Sequence, residues 1–332
     1  MVNRSKSVLI LMTTYNGAEY IKEQIESIIN QSNSNWTLII RDDGSKDGTF
    51  KIIKKYCVND SRIHFIENSS ERHGAYLNFW SLVHYAKMQK DYDYYFFSDQ
   101  DDVWLPDKIE SMIGFDKEQG KNEVPRLIYA DMQVIDRTGN LVYESLNSIM
   151  GIGEMTGVSL FFTHGFLWGC DILLNKALFD IVPPLPLDNS YIDIMSHDNY
   201  FGKFALLFGE IKYFQKVCIQ HRRHGKNETG SYQIKMTFFS ALKQALTRWN
   251  ELAKTHARVY TQTLITISQI ESAGLANKNT QEIKEAIERG GLKGILILKK
   301  CKVKRKQKVR TLGIYLIMLT KKYKMYMGTN CK

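Results

Sequence analysis

The sequence predicts an α/β fold: a mostly parallel, mixed sheet flanked by helices, followed by a helical, basic C-terminal extension. Three observations carry this. Short apolar runs with strand propensity alternate with segments whose apolar residues recur at helical spacing. The runs end in turns rich in Asn, Asp and Gly, as strand-to-helix connections do. Beyond Gly230 the alternation gives way to helical, increasingly basic sequence.

Val8-Leu9-Ile10-Leu11-Met12 reads as a buried strand, and Thr13-Thr14-Tyr15-Asn16-Gly17 as the turn after it. Ile21, Ile25, Ile28 and Ile29 then mark one face of a helix. A strand at Trp36–Ile40 leads into the polar loop Arg41-Asp42-Asp43-Gly44-Ser45, followed by a helix carrying Ile52, Ile53 and Tyr56. A short strand at Ile63–Ile66, a helix from about Tyr76 to Met88 and a strand from Tyr94 continue the series, which implies a parallel, Rossmann-like sheet. The pattern then becomes mixed. Leu127–Ala130 and Phe166–Cys170 read as strands, Gly139-Asn140 as a hairpin turn, and Asn175–Asp180 as a short helix stopped by Pro183-Pro184. A helix begins near Ser196-His197-Asp198 with Phe201, Phe204, Ala205 and Phe208 inward. Val217-Cys218-Ile219 is a last strand, with Gln220 to Asn227 as a loop beyond it.

Length and an apolar content of 44% suit one large domain with an appendage: residues 1–230 as the sheet domain and 231–332 as the helical region. The five cysteines are scattered and form no C-x-x-C pair, which points to reduced thiols and a cytoplasmic setting. The apolar run near the N-terminus is too short for a signal-peptide core, and no stretch reaches the roughly 18 to 20 apolar residues of a spanning helix. A soluble or peripheral protein is expected. The formal charge of +10 falls largely in the tail.

Chemistry concentrates where apolar strands end. Tyr94-Tyr95-Phe96-Phe97-Ser98 runs into Asp99, Asp101 and Asp102, at the carboxyl end of a strand, where open α/β sheets bind ligands. Carboxylates this close repel one another unless a cation lies among them, and hard oxygen donors suit Mg2+ or Mn2+. Standing alone, the three residues are better explained as a solvated acidic loop, because so short a pattern recurs by chance.

Taken together, Thr13-x-Tyr15-Asn16, Asp42-Asp43, Asp99-x-Asp101-Asp102 and His197-Asp198 resemble the inverting family 2 glycosyltransferases with the GT-A fold. No single pattern suffices; the resemblance spans about residues 6–230 because all four occur in the family's order. It implies that Thr13, Tyr15 and Asp43 hold the nucleotide base, a carboxylate accepting a pyrimidine imide N–H and a tyrosine ring stacking on it. Asp101 is implied as the direct metal ligand, with Asp99 beside the ribose or a metal-bound water and Asp102 in support. Asp198 matches the catalytic base. His197, implied as a further diphosphate or acceptor contact, replaces the acidic residue common before that Asp, a variant associated with rhamnosyltransferase-like members. Gln220-His221-Arg222-Arg223-His224-Gly225-Lys226-Asn227 resembles the subgroup's Arg-x-His-Gly-x-Asn loop, with Arg222 as a diphosphate partner and His224 as a metal or phosphate contact. Trp168, on a strand resembling the acceptor side, would stack on a sugar face, or else belongs to the core.

The resemblance implies an enzyme moving a sugar from a nucleotide donor to a saccharide or lipid-linked acceptor in cell-surface polysaccharide synthesis, at the cytoplasmic face of the membrane. L-Rhamnose from dTDP-rhamnose is the first donor; a UDP-hexose or UDP-N-acetylhexosamine is the alternative. In the tail, Leu292–Lys300 and Leu312–Leu319 are apolar segments flanked by lysines, a pattern suited to an anionic membrane surface. The rival from another class is a non-catalytic membrane- or nucleic-acid-binding protein on a transferase scaffold. A nucleotidyltransferase is weaker still, because the sequence lacks a Gly-rich phosphate loop.

Overall fold

Val8 to Met12 have no exposed surface, and a run apolar on both faces can be satisfied only inside a sheet covered on both sides. In the computed structural model of the chain, β1 (Val8–Thr14) accordingly lies between β2 (Trp36–Asp42) and β4 (Tyr94–Ser98), parallel to both. The structure describes residues 7–89, 92–121, 123–154, 158–163, 167–225, 247–304 and 308–328. Register places Thr14 opposite Asp42 and Met12 opposite Ser98, so the polar ends of these strands share one edge.

The helices around this half follow from their spacing. α1 (Ile21–Ile29) buries Ile21, Ile25 and Ile28, and α2 (Thr49–Asn59) buries Ile53. β3 (Ile63–Glu67) extends the sheet beyond β2, and α3 (Ala75–Lys87) is buried around much of its circumference by Leu77, Phe79, Trp80 and Val83. Gly74, with φ of 136°, turns the chain into α3.

After β4, a two-residue β5 (Val103–Trp104) precedes α4 (Lys108–Glu118), β6 (Arg126–Ile135) and the hairpin strand β7 (Leu141–Tyr143). α5 (Leu146–Met150), β8 (Ile172–Asn175), α6 (Lys176–Ile181), α7 (His197–Phe208) and β9 (Glu210–Arg222) complete the region. Asn175 caps α6 by accepting from the Leu178 N–H at 3.0 Å. Strand order is β3-β2-β1-β4-β8-β6-β9-β5, with β7 on β6; β8 runs antiparallel to β4 and β6, which makes the sheet mixed.

Two expectations from the sequence are corrected. The strand expected at Phe166–Cys170 begins later, at Ile172, and Gly169–Asp171 forms a 3-10 turn; Phe166 lies outside the described residues. The backbone bends because the Gly169 position packs onto a neighbouring ring: a Cβ there would lie 2.4 Å from His197 Nε2. Gln220, His221 and Arg222, expected in a loop, continue β9, since β6 offers a parallel partner as far as Ile135 opposite Arg222.

The chain divides into two compact units. The first comprises Met1–Leu146, Leu167–Phe201 and Gly209–Gly230; the second comprises Asn147–Phe166, Gly202–Phe208 and Ser231–Lys332. The second unit therefore takes two segments from before residue 230. Beyond residue 230 its described helices are α8 (Trp249–Ser272), α9 (Lys278–Arg289), α10 (Gly291–Lys300) and α11 (Lys308–Thr320). They share a core of Phe161, Phe162, Tyr260, Ile267, Ile283, Leu298, Ile317 and Tyr323. Cys57, Cys170, Cys218 and Cys301 carry free thiols, and Cys331 lies outside the described residues. Among the described residues no helix is long and apolar enough to cross a membrane.

Candidate active site

The acidic segment after β4 is folded back by β5. Val103 pairs with Gln220 and Trp104 with Ile219 in an antiparallel ladder, which lays Asp99–Asp102 alongside the end of β9. Asp102 Oδ1 lies 2.8 Å from His221 Nδ1 and accepts the Arg222 backbone N–H at 3.2 Å. Asp101 Oδ2 lies 2.6 Å from His224 Nε2, and the His224 ring stacks on Tyr20 with centroids 4.9 Å apart. Two strand ends more than a hundred residues apart in sequence thus hold one cluster of carboxylates and imidazoles.

The electrostatics are divided within the cluster. Burial and the Asp102 and Asp101 charges push the Asp99 carboxyl up to about 8. Asp101 is also raised, by burial and then Asp102, although His224 works against this. Asp102 goes the other way: burial disfavours its charge, but the His221 charge and hydrogen bond outweigh it and hold it below the usual carboxylate range. His221 in turn is raised, because Asp102 overcomes the cost of burying the imidazolium.

Gln100 fastens this loop to the end of β1. Its Oε1 accepts from Thr14 Oγ1 at 2.6 Å and from the Tyr15 N–H at 2.9 Å, and its Nε2 donates to the Tyr15 carbonyl at 3.1 Å. Tyr15 leaves the sheet with its ring 53% exposed, while Thr13 stays buried. A side chain at Gly17 would collide with Gln100, since a Cβ would fall 2.2 Å from Oε1. Gln24 supports the loop from beneath: with its amide oriented to satisfy both ends, it accepts from Ser98 Oγ and Trp104 Nε1 and donates to the Asp102 carbonyl.

At the end of β2 the paired aspartates separate. Asp42 closes its own turn, accepting from the Ser45 N–H at 2.7 Å and from Ser45 Oγ at 2.5 Å. Asp43 turns the other way and is fixed by Asn68 Nδ2 at 2.7 Å and the Gly74 N–H at 2.8 Å, with His73 Nδ1 3.3 Å from Oδ1.

Asp198 is half-buried in the first turn of α7. Its Oδ1 accepts from the Asn199 N–H at 2.5 Å and from Asn199 Nδ2 at 2.9 Å. Its charge contributes to the upward shift of Asp99, so the candidate base and the acidic loop share one field. Trp168 is half-buried just before the Gly169 turn that packs on His197.

Two residues expected to meet ligand are buried and engaged by other groups of the protein. His197 is buried between Phe79 and Phe97, with ring centroids 4.1 and 4.2 Å away, and burial lowers it to about 4. It is a neutral packing element ahead of Asp198. Arg222, expected to clasp a diphosphate, turns inward because the strand continues through it. Its guanidinium donates to Glu23 at 2.6 Å, to the Asp101 carbonyl at 3.1 Å and to the Arg137 carbonyl at 3.3 Å. It buttresses the acidic loop.

Sequence reasoning missed Gln100, Asn68 and a buried pair beneath the site. Lys108 has no exposed surface, donates to the Cys170 carbonyl at 2.6 Å and lies 3.5 Å from the Trp104 ring centroid. Asp171 is equally buried and is raised well above the usual range by burial, with Lys108 opposing the shift. Only Gln100 carried a signal, its place between two aspartates.

A divalent cation fits this donor set. Asp99 and Asp101 are raised by burial and by neighbouring carboxylates, and Asp101 is partnered by an imidazole, so a hard cation would relieve the crowding. Asp102, Cys170 and His221 also bring ligand-type atoms within 4.8 Å of one another. That group is closed off by burial, and its thiol is raised well above its ordinary value by burial and then Asp102, which leaves it a poor ligand.

Residues 9–180 match the family model described as glycosyl transferase family 2. The dTDP-rhamnosyl transferase RfbG of Shigella flexneri is 28% identical over 226 residues, covering 66% of this chain and 74% of that protein. Among solved structures, Staphylococcus aureus TarS residues 1–349 in complex with UDP aligns with a TM-score of 0.50 and 15% identity, over 96% of this chain and 90% of that one. The mannosyltransferase PcManGT of Pyrobaculum calidifontis, in complex with GDP-Man and Mn2+, gives 0.50 and 14%, over 99% of this chain and 89% of that one. These structural likenesses are of fold.

Proposed function

The chain belongs to glycosyl transferase family 2, as an enzyme of the GT-A fold, and from that premise we propose that it transfers L-rhamnose from dTDP-rhamnose to a saccharide or lipid-linked saccharide with inversion. One observation carries the mechanistic reading: Asp99, Asp101 and Asp102 converge with His224 on one side, while Asp198 faces the same field from the start of α7.

Tyr15 offers an exposed ring for a nucleotide base to stack on, and Asp43, aimed by Asn68 and Gly74, accepts a pyrimidine imide N–H. Thr13 lines the same strand end. Asp101, beside His224, would hold Mg2+ or Mn2+ together with that imidazole, and Asp99 would serve the ribose or the ion. The bound ion would supply charge neutralisation for the departing diphosphate. Asp198 takes the proton of the acceptor hydroxyl, and Oδ2 is the receiving oxygen because Asn199 occupies Oδ1 twice. Trp168 presents its half-exposed ring to the acceptor.

The likeness to RfbG favours the dTDP-rhamnose reading. A UDP-hexose or UDP-N-acetylhexosamine remains the second reading, because Asp43 reads uracil and thymine alike and TarS was solved with UDP. The acceptor would belong to cell-surface polysaccharide synthesis at the cytoplasmic face of the membrane. A donor panel decides: purified protein with Mn2+ or Mg2+ should release nucleoside diphosphate from dTDP-rhamnose faster than from UDP-sugars. Faster release from a UDP-sugar would replace the first donor by the second, and release from neither would reject both.

A further inference from the structure

The ladder between β1 and β4 ends where Met12 pairs with Ser98, and beyond it the two chains are joined by a side chain instead. Toward Tyr15 the Gln100 amide acts as a neighbouring peptide would: Oε1 accepts the Tyr15 N–H at 2.9 Å and Nε2 donates to the Tyr15 carbonyl at 3.1 Å. Oε1 also accepts the Thr14 hydroxyl at 2.6 Å. Gln100 stands between Asp99 and Asp101 in the chain, so whatever moves those carboxylates moves this clamp.

Each side of the clamp is held together without it. On the side of Tyr15, the Asn16 N–H donates to Ser45 Oγ at 2.8 Å and Asn16 Oδ1 accepts the Lys46 N–H at 2.9 Å, which keeps Tyr15 with the turn that carries Asp43. The Gly17 N–H donates to Thr49 Oγ1 at 2.8 Å. On the acidic side, the β5–β9 ladder and the contacts of His221, Arg222 and His224 fix Asp101 and Asp102. Gln100 joins the two sides directly.

Gly17 makes room for the clamp. A Cβ there would fall 2.2 Å from Gln100 Oε1, 2.7 Å from its Cδ and 3.1 Å from Thr14 Oγ1. The backbone at Gly17 is not in the left-handed region, so alanine meets no conformational penalty of that kind. What an alanine methyl meets is chiefly the free end of the Gln100 side chain, which would swing away. Gly17→Ala is thus a second, independent way to open the clamp.

We propose that Gln100 is a positioning residue for the donor: it sets the spacing between the base platform of Tyr15 and Asp43 and the carboxylates Asp99 and Asp101, so that a nucleoside diphosphate with its divalent cation spans both. This role, which rests on the donor reading above, makes the middle residue of Asp99-Gln100-Asp101 the register between two half-sites. A ligand that bridges two half-sites gains affinity from their spacing, because the second contact forms at the effective concentration the first provides. Loosening the register therefore weakens the bridging ligand far more than a ligand that occupies one half alone. A residue that merely propped up one loop would weaken the single-site ligand of that loop as well.

The test is calorimetric titration of the full chain with three probes. Thymidine reaches only the base side, Mn2+ alone only the acidic loop, and dTDP with Mn2+ spans the two; uridine and UDP are run in parallel, since Asp43 reads either base. Gln100→Ala should weaken dTDP with Mn2+ by about tenfold while thymidine alone and Mn2+ alone stay within about twofold of wild type. Gly17→Ala should do the same, and the double variant should lose no more than either single one, because both open one clamp. If Gln100→Ala misfolds, Gly17→Ala carries the comparison. Tyr15→Ala and Asp101→Ala are the controls: if they weaken dTDP with Mn2+ and the folded Gln100 and Gly17 variants do not, the register role fails and the donor reading stands. A comparable loss for thymidine alone or Mn2+ alone overturns it too, by making Gln100 a prop of one half, as do additive losses in the double variant. Failure of the wild-type protein to bind dTDP or UDP with Mn2+ removes the donor reading and the register role together.

Discussion

His224 Nε2 lies 2.6 Å from Asp101 Oδ2, the imidazole having been brought to the acidic loop by the two-residue ladder between β5 and β9. If these two groups are ligands of one cation, their losses should resemble each other. Asp101→Ala is expected to cut metal-dependent turnover by about 10²- to 10³-fold, in line with losing a major electrostatic contact to the leaving group. His224→Ala should weaken metal activation by about 10- to 100-fold, with part of the rate recovered at high Mn2+. A Mn2+ titration of both variants checks this. Full activity of Asp101→Ala at ordinary Mn2+ would remove Asp101 from the metal site.

Asp99 links metal binding to pH. It is held up to about 8, so near neutrality it keeps a proton that a cation must displace. The half-saturating Mn2+ concentration should therefore fall as pH rises from about 6.5 to 8.5, approaching tenfold per unit below 8 if one proton leaves per ion. Asp99→Asn should flatten that dependence. A half-saturating concentration that ignores pH in the wild-type protein contradicts a metal-linked Asp99.

The legible parts of this molecule are those whose cause is local. β1 and β4 are apolar throughout because they are covered on both faces, and a five-residue apolar run states that directly. The carboxylates Asp99, Asp101 and Asp102 are legible as a group because they crowd one strand end. β5 is not, since two residues have no periodicity and form a strand only because β9 lies alongside. Missing β5 and the length of β9 makes Arg222 look like a loop cation available to ligand, whereas strand geometry points it at Glu23. Gln100 is opaque for the same reason: its partners, Thr14 and Tyr15, are 86 and 85 residues away. The inward turn of His197 depends on Phe79, Phe97 and Gly169, which no window of sequence contains together.

Asp198 is separable from binding. Asn199 fixes its Oδ1, so Asp198→Asn should keep the turn geometry while removing the proton acceptor. Transfer should fall by about 10²- to 10⁴-fold with little change in donor affinity. Donor binding by calorimetry, alongside single-turnover transfer, distinguishes the two effects. Unchanged transfer rules Asp198 out as the base, and a parallel collapse of donor affinity would make it a binding residue.

His197 should give the protein an acid-sensitive step of its own. Burial between Phe79 and Phe97 lowers it to about 4, whereas the unfolded chain holds the proton with an ordinary value of about 6.5. Between those values the unfolded state binds more protons, so stability declines as pH falls from 6.5 towards 4, by roughly 3 kcal/mol at the lower end. His197→Gln removes the titration without adding a charge. The variant is expected to be less stable than wild type at pH 7, because the aromatic contacts are lost, yet to lose less on acidification, so the two curves converge towards pH 4. Denaturant midpoints across that range measure the convergence. Parallel curves would mean that protonation of the caged imidazole does not drive the acid transition, and that the buried carboxylates of the acidic loop set it instead.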